Sequence, residues 1–322
     1  MTMPELTIKK NFNKNFWLDR VFRLITGFCA LSILIIFVSI MLFLIIGSLP
    51  TIHTFGWHFL ISNEWNPVTN RFGALAPIAG TVITSIIALI ISIPISFGIA
   101  LFLTEIAPLW MRQPVRIAIE LLAAIPSIIY GMWGLFIFVP LFASHVQPWL
   151  IEKLGNVPLI GILFQGAPIG IGLLTAGIIL GIMVIPFMAS VMRDVFEIVP
   201  NTLKESAYAL GATTWEVVWN IVLRYSRVGV VGGIMLGLGR ALGETMAVAF
   251  VIGNAHELTG SLMMPGNSIT SVLANEFTEA IGKLYISALI ELGLILFVIS
   301  FIVLVFSKLM LRHLNKQAGQ KN

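Results

Sequence analysis

The sequence predicts an all-α protein that crosses a membrane several times. Of its 322 residues, 58% are hydrophobic and 11% are charged, whereas soluble domains carry about 25% charged residues. The apolar residues also form long blocks: no Asp, Glu, Lys, Arg or His lies between Arg23 and His53, or between Arg71 and Glu105. Because a helix needs roughly 20 apolar residues to span a bilayer and must satisfy its own backbone there, these blocks are predicted to be transmembrane helices.

Six such spans are predicted, preceded by a tail at 1–21 and followed by a tail at 308–322. The spans lie at about 22–49, 73–104, 117–140, 168–192, 228–253 and 284–307. Pro94 and Pro126 fall inside spans two and three and predict kinks there. The first block is longer than the apolar region of a signal peptide, so we expect a retained anchor.

The basic residues orient these spans. With both tails placed in the cytoplasm, Arg71, Lys153 and Lys283 lie in the outside loops and Arg240 lies within span five. All other Lys and Arg residues, out of 19, then fall in the inside segments. This bias is the one that membrane proteins show toward the cytoplasm, so both termini are predicted to be cytoplasmic.

The longest inside connection, 193–227, has the pattern of two short helices. Thr202 and Glu205 have the spacing of a capping box, and Gly211 is a natural helix stop. A second capping box, Thr213 to Glu216, starts a helix that is expected to run on toward span five. From spacing alone, the first helix is either a docking element outside the membrane or a solvated connector.

The segment ESAYALGATTWEVVWNIVL resembles the EAA loop of bacterial ABC importer permeases. Its matching positions are Glu205, Ala207, Gly211, Ile221 and Leu223. Ser206 replaces the alanine of the middle position, and Arg224 stands where that family has proline. The resemblance implies that this loop forms a coupling helix, carried by Glu205, Ala207 and Gly211, which docks on a cytoplasmic ATPase subunit.

Three further stretches resemble the phosphate-transport permeases of the PstC type: EWNPVTNRFGALAPIAGT (64–81), AAIPSIIYGMWG (123–134) and GRALGETMAVAFVIGN (239–254). The resemblance implies the type I ABC importer fold, in a bacterial inner membrane, with phosphate as cargo. It also implies three kinds of partner: a sister permease of the PstA type, two copies of an ATPase subunit, and a periplasmic phosphate-binding protein. No cofactor is expected in this chain, since ATP with Mg would be used by the ATPase.

Arg240 and Glu244 lie in the middle of predicted span five, where an ionised side chain costs roughly 2.5–3.5 kcal/mol. In a continuous helix they share one face with Gly229, Gly233 and Gly237. Two interpretations remain open: a self-neutralising pair that lets the helix insert, or a central cation that meets the phosphate, with Glu244 orienting it.

Three other polar residues are assigned to the predicted substrate path. Glu291 in span six is either a helix–helix hydrogen-bonding group or a gate. Ser127 and Tyr130 near Pro126 either line the path or satisfy the kinked backbone.

Several functions are disfavoured by the sequence. There is no G-x-x-x-x-G-K-[ST] phosphate loop, so we expect a permease subunit and not an enzyme. The five histidines have no metal-ligand spacing, and no basic patch interleaved with aromatics predicts nucleic-acid binding. Two alternatives remain: a permease for another oxyanion such as molybdate or sulfate, and an ion-coupled secondary transporter.

Overall fold

The computed structural model describes residues 4–158 and 160–319, with side chains described for 16–158 and 160–313. The longer helices, in a common numbering along the chain, are α1 (Pro4–Phe55), α3 (Leu75–Leu101), α4 (Leu109–Ala124), α8 (Leu173–Glu197), α9 (Asn201–Ala209), α11 (Leu223–Leu242) and α14 (Lys283–Gly319). The shorter ones are α2 (His58–Ile61), α5 (Ser127–Trp133), α6 (Val139–Leu141), α7 (Gln147–Leu154), α10 (Thr214–Val217), α12 (Met246–Ala249) and α13 (Ile269–Glu276). No β-strand occurs in these described ranges.

Six helical stretches are long and apolar enough to cross a membrane, so the predicted count is confirmed for the described part of the chain. Spans one to six are Phe16–Phe55, Leu75–Ile106, Ser127–Leu154, Leu173–Glu197, Thr214–Leu242 and Lys283–His313. Several combine consecutive helices with a π-helical turn between them, as where α3 continues through Phe102–Ile106. The side of the bundle that carries α9 is called the α9 side below.

The predicted bounds of spans three and five are wrong. Span three does not begin at 117, because the chain is extended at Ile125 and Pro126 and separates the amphipathic α4 from α5. A proline cannot donate the backbone hydrogen bond that would continue the helix. Span five is displaced toward the N terminus: it starts at Thr214, behind the Thr213 cap, and ends at Leu242 rather than at 253. Pro94, in contrast, lies within α3, which continues past it.

The main core lies between α3 and α8. Gly177 permits their close approach, since a Cβ there would lie 2.6 Å from the Ile87 side chain. Two hydroxyls of α3 reach α8: Ser96 Oγ donates to the Ile185 carbonyl at 3.0 Å, and Ser92 Oγ lies 3.4 Å from the Met188 sulfur. Because α8 is the most buried of the six spans, it is the axis around which the others are arranged.

Span one packs against span six along one edge of the bundle. Thr51 and Ser287 are hydrogen-bonded through their hydroxyls at 2.7 Å, and Ser287 Oγ also donates to the Gly47 carbonyl at 2.8 Å. Elsewhere span one exposes long apolar side chains. Such a surface is suited to lipid or to a second membrane subunit.

A polar cluster joins the loops on the side opposite α9. The Glu276 carboxylate accepts hydrogen bonds from Trp65 Nε1 at 2.8 Å and from the Tyr285 hydroxyl at 2.6 Å, and it lies 2.8 Å from His256 Nε2. The Trp65 and His256 rings are stacked, with centroids 5.4 Å apart. Burial raises the pKa of Glu276, but the hydrogen bonds from His256, Tyr285 and Trp65 together lower it by more. The net pKa therefore lies below its usual value. These four residues are called the Glu276 cluster.

An ion-pair network lies on the α9 side. Arg193, near the end of α8, is only 3% exposed. Its Nη2 contacts Asp194 at 2.7 Å and Glu120 at 3.2 Å, and its Nε lies 3.9 Å from Glu197. Arg116 of α4 contacts the same Glu120 at 3.0 Å. The network therefore ties the amphipathic α4 to the end of span four.

Candidate functional site

The predicted glycine stripe of span five packs against span four. A Cβ at Gly229 would lie 2.4 Å from Val195 of α8, and one at Gly237 would lie 2.5 Å from the Met188 sulfur. Gly233 faces Val191 with slightly more room, at 3.3 Å. The stripe thus faces the interior of the bundle and brings the two helix backbones close together.

Arg240 follows the stripe in the last turn of α11. Its guanidinium carbon lies 5.3 Å from the centroid of the Phe187 ring, over the face of that ring. Because Phe187 is near the middle of α8, Arg240 lies deep in the bundle although it is near the end of its own helix. The ring face and the negative end of the α11 dipole both favour a cation at this position.

The Arg240 side chain has unused hydrogen-bonding capacity. Its Nε is buried and has no hydrogen-bond partner, and it forms no ion pair with any carboxylate of the described residues. Arg240 as a whole is half-buried, and a partly buried cation without a counter-charge is less favourable than a paired one. An anion entering beside Phe187 would supply the missing partner.

The self-neutralising pair of Arg240 and Glu244 is not formed, which corrects the spacing argument. In a continuous helix Arg240 and Glu244 would share one face, but α11 ends at Leu242 and the next helix, α12, begins at Met246. Glu244 lies in the break, where its Oε1 accepts a long hydrogen bond of 3.4 Å from the Ala247 backbone N–H. Its observed contact is therefore with the start of α12.

Two neighbouring elements hold the break in place. The Thr270 hydroxyl on α13 donates to the Glu244 carbonyl at 2.6 Å. On the other side α5 approaches α12 closely, since a Cβ at Gly131 would lie 3.0 Å from the Met246 carbonyl oxygen. A helix that ends inside the bundle exposes backbone groups there, as the discontinuous helices of many transporters do at their substrate sites.

Tyr130 and Ser127 lie on α5, which borders this break. The Tyr130 hydroxyl donates to the Leu122 carbonyl at 2.9 Å and so bridges the interruption at Pro126. Ser127 is the half-buried first residue of α5. The observed contact of Tyr130 corresponds to the backbone-satisfying alternative, while the role of either residue in a path stays a prediction.

Glu291 is not brought to Arg240. It is 6% exposed, and its Oε2 has no hydrogen-bond partner. It lines an apolar groove of about 610 Å³ between spans one, two and six, with Ile52, Trp57 and Ile78 among the lining residues. The structure therefore places Glu291 in a separate groove, and its assignment to the path stays a prediction.

The helix predicted as the docking element is α9, and its N-terminal cap differs from the prediction. Thr202 is not the cap: the helix begins at Asn201, directly after Pro200, and has no side-chain cap. The fixed φ of proline favours an immediate helix start. At the other end Gly211 has φ +87°, a left-handed conformation that suits glycine and ends the helix. The second capping box, Thr213 with Glu216, is present, and its helix continues into span five as predicted.

The surface of α9 is available to a partner. None of its residues is buried, and Glu205 is exposed. Leu203, Tyr208 and the adjoining Leu210 are 44%, 42% and 89% exposed. Ala207 alone of the matched positions in α9 packs against the main core. Exposed apolar side chains on a short helix are a feature of protein-binding surfaces.

Two contacts made by residues of the predicted site and docking helix were not predicted from the sequence. One is the Phe187 ring beneath Arg240, and the other is an ion pair between Lys204 of α9 and Glu105 at the end of span two. Glu105 is recognisable in the sequence as the charged residue that ends a long apolar block, but nothing there indicates its partner. Among the described residues, no group of His, Cys, Asp and Glu is arranged to hold a metal ion.

Comparison with known proteins agrees with this architecture. A profile of the family described as binding-protein-dependent transport system inner membrane component matches residues 96–316. The chain is 61% identical over 304 residues to the phosphate transport system permease protein PstC of Pasteurella multocida, covering 94% of this chain and 95% of that relative. It is 56% identical to the protein of the same name from Haemophilus influenzae, covering 97% and 98%. A probable PstC protein of Methanocaldococcus jannaschii is 39% identical, covering 94% and 95%.

A solved structure shares the fold. A chain of the MetNI methionine ABC transporter, in an inward-facing conformation, aligns with a TM-score of 0.52 over 75% of this chain and 94% of that one, at 15% identity. The fold and the family profile define the class: a multi-pass permease component of an ABC transport system. The chain belongs to the PstC family of these permeases.

Proposed function

We propose that this chain is one of two permease subunits of an ATP-driven importer in a bacterial inner membrane, and that its cargo is inorganic phosphate. The relatives that are named for phosphate transport support the cargo. The observation that carries the proposal is Arg240, which lies over Phe187 and has no carboxylate partner among the described residues. A guanidinium stays charged and matches the oxygens of phosphate.

In this proposal the path runs past the break between α11 and α12. Phosphate contacts the guanidinium of Arg240. This group is positioned by the Phe187 ring, by the α11 dipole and by the close glycine packing of α11. The absence of an ion pair with Glu244 keeps Arg240 available, while a single cation binds weakly enough for release. Conduction needs both entry and exit to be favourable.

The exposed surfaces are compatible with the partners that we propose. A sister permease of the PstA type covers part of the exposed apolar surface of the spans, and a periplasmic phosphate-binding protein delivers the cargo. Two copies of an ATPase subunit bind on the cytoplasmic side, one of them through the exposed α9 with Glu205, Ala207 and Gly211. ATP with Mg is consumed there. The α9 side and both termini are then cytoplasmic, in keeping with the distribution of Lys and Arg.

The experiment that tests the assembly is purification of the tagged chain in mild detergent, followed by identification of what accompanies it. We expect an ATPase and a second six-span permease. Transport by the purified chain alone in liposomes, with no ATPase, would instead favour a secondary transporter.

The cargo is tested by competition. Uptake of labelled phosphate by the reconstituted importer is measured with excess unlabelled phosphate, sulfate or molybdate. We expect competition by phosphate only. Stronger competition by sulfate or molybdate would identify another oxyanion as the cargo.

The docking assignment is tested on α9 itself. Glu205→Lys reverses an exposed charge, and Gly211→Val forces a branched residue into a φ of +87°. We expect less co-purified ATPase with each variant. Unchanged co-purification and unchanged ATP hydrolysis in both would remove α9 as the docking element.

A further inference from the structure

The helix α9 has one side-chain ion pair that leads into the membrane. Lys204 Nζ lies 2.5 Å from Glu105 Oε1, although the two residues are 99 positions apart in the chain. Within the described ranges, no other side chain of α9 forms a hydrogen bond or ion pair with another helix. Lys204 is thus the polar link between an otherwise exposed helix and the end of span two.

This pair differs from surface ion pairs because it is buried. The side chains of Lys204 and Glu105 are 13% and 6% exposed, whereas those of the nearby Arg116 and Glu120 are 42% and 47% exposed. Exposed pairs contribute little, since water and salt screen them. Separating a buried pair leaves two uncompensated charges, which is strongly unfavourable. The buried pair therefore favours contact between α9 and the end of span two.

Glu105 is also placed where span two can adjust. It lies in the π-helical turn Phe102–Ile106 that follows α3. Such turns interrupt regular hydrogen bonding and occur often at functional positions. Before this turn, α3 is hydrogen-bonded to α8 through two hydroxyls. Ser96 contacts Ile185 and Ser92 contacts Met188, which lie on either side of Phe187 in the chain.

We propose that the Lys204–Glu105 ion pair, called the pin below, transmits movement of α9 to spans two and four. Through span four this movement would reach Phe187, whose ring contacts Arg240. The proposal rests on the proposed function, in which α9 docks the ATPase. The two residues are positioning residues, since neither contacts the cargo. The backbone through α10 leads into span five, so the pin supplies a separate connection to the rest of the bundle.

The test uses the complete importer in proteoliposomes and three double variants. Glu105→Gln/Lys204→Met removes both charges and leaves none buried alone. Glu105→Lys/Lys204→Glu exchanges them. Glu64→Gln/Arg71→Gln, which removes an exposed ion pair in the loop after span one, away from Lys204 and Glu105, is the matched control. Co-purified ATPase, ATP hydrolysis stimulated by the binding protein, and phosphate uptake are measured for each.

We expect the charge-free variant to retain its ATPase and to lose stimulated hydrolysis and uptake by about 10-fold, a coupling effect of ordinary size. The exchanged pair should recover a large part of this loss, and the control should match wild type. Full coupling in the charge-free variant would overturn the proposal. So would an exchanged pair that performs no better than the charge-free variant, including one that fails to assemble.

A distance measurement separates the pin from the cargo assignment. Spin labels at Tyr208 of α9 and Ile106 of span two, both exposed, report whether the two ends move together when ATP binds. We expect a constant distance in wild type and a distance that changes in the charge-free variant. A wild-type distance that changes would overturn the pin. Absence of phosphate uptake by wild type, with that distance constant, would overturn the phosphate assignment alone.

Discussion

Two arginines, one within span four and one packed against it, have different electrostatic environments. Arg193 lies near the end of α8 on the α9 side, and it engages carboxylates through Nε and Nη2. Arg240 lies deep in the bundle over Phe187 and forms no ion pair with a described residue, and its Nε is buried without a partner. Arg193 is thus neutralised by carboxylates of the protein, although its Nη1 is also buried without a partner, whereas Arg240 has no carboxylate partner among the described residues.

Under the proposed function, this difference separates a structural charge from one that contacts the cargo. Glu120, Asp194 and Glu197 are about half exposed, so the charges of the Arg193 network are partly screened by solvent. Arg240 has an aromatic ring and a helix terminus as its supports, and neither cancels its charge. Removing Arg193 should therefore affect stability, and removing Arg240 should affect transport.

The largest effect is expected for Arg240→Gln. The variant keeps a hydrogen-bonding side chain of similar length but loses the cation, so phosphate would enter the bundle without a counter-charge. We expect uptake to fall by about 100-fold, the loss typical of removing a preorganised electrostatic contact. Uptake of labelled phosphate is measured in cells with matched amounts of complex. Normal uptake would place Arg240 with Arg193 as a structural charge.

The next largest effect is expected where α11 packs closely against α8, at Gly229, about three helical turns before Arg240. Gly229→Ala puts a Cβ 2.4 Å from the branched Val195 side chain, whereas Gly232→Ala meets nothing within 4 Å. We expect the first to destabilise the complex by roughly 1–3 kcal/mol and to lower uptake as α11 is pushed from α8. The second should be neutral or slightly stabilising. Thermal unfolding and uptake are compared for the pair, and equal behaviour would show that this contact does not position Arg240.

Arg193→Gln should have a smaller effect on uptake than Gly229→Ala, with a comparable effect on stability. The loss of charged hydrogen bonds to half-exposed carboxylates is expected to destabilise the complex by about 1–3 kcal/mol. Uptake per folded complex should stay near the wild-type value. Thermal unfolding of the detergent-solubilised complex measures the first quantity. A loss of uptake with normal stability would contradict the division between the two arginines.

The smallest effect concerns the Glu276 cluster, which includes neither arginine. Because the pKa of Glu276 is depressed below 4.5 in the folded protein, its contribution to stability is present above the unfolded value and is lost as the pH falls through the folded value. We expect the difference in thermal midpoint between wild type and Glu276→Gln to shrink as the pH is lowered from 4.5. A difference that stays constant or grows would contradict this sign.

Sequence reasoning succeeded where the signal is local. The apolar blocks predicted six spans, and the box of Thr213 and Glu216 predicted the start of the helix that becomes span five. Gly211 predicted the end of α9 because only its own backbone conformation is involved. The coupling and path roles of the named residues were not decided by these patterns and stay predictions.

The failures arose from contacts that are distant in sequence. Helical spacing placed Arg240 and Glu244 on one face, but the chain leaves the helix after Leu242, and Thr270 holds the break from 26 residues away. Periodicity contains no information on such a contact. The cap predicted at Thr202 was wrong for a local reason, because the helix already begins at Asn201, directly after Pro200.

The central claim is that Arg240 is the cation that meets the anion in transit. The most direct measurement is phosphate translocated per ATP hydrolysed by reconstituted importers that carry wild-type Arg240, Arg240→Lys or Arg240→Gln. Because lysine keeps the charge but not the planar fork, we expect partial transport with Arg240→Lys and almost none with Arg240→Gln, with ATPase co-purification unchanged in both. Wild-type transport by Arg240→Gln, or equal losses in the two variants, would contradict the account.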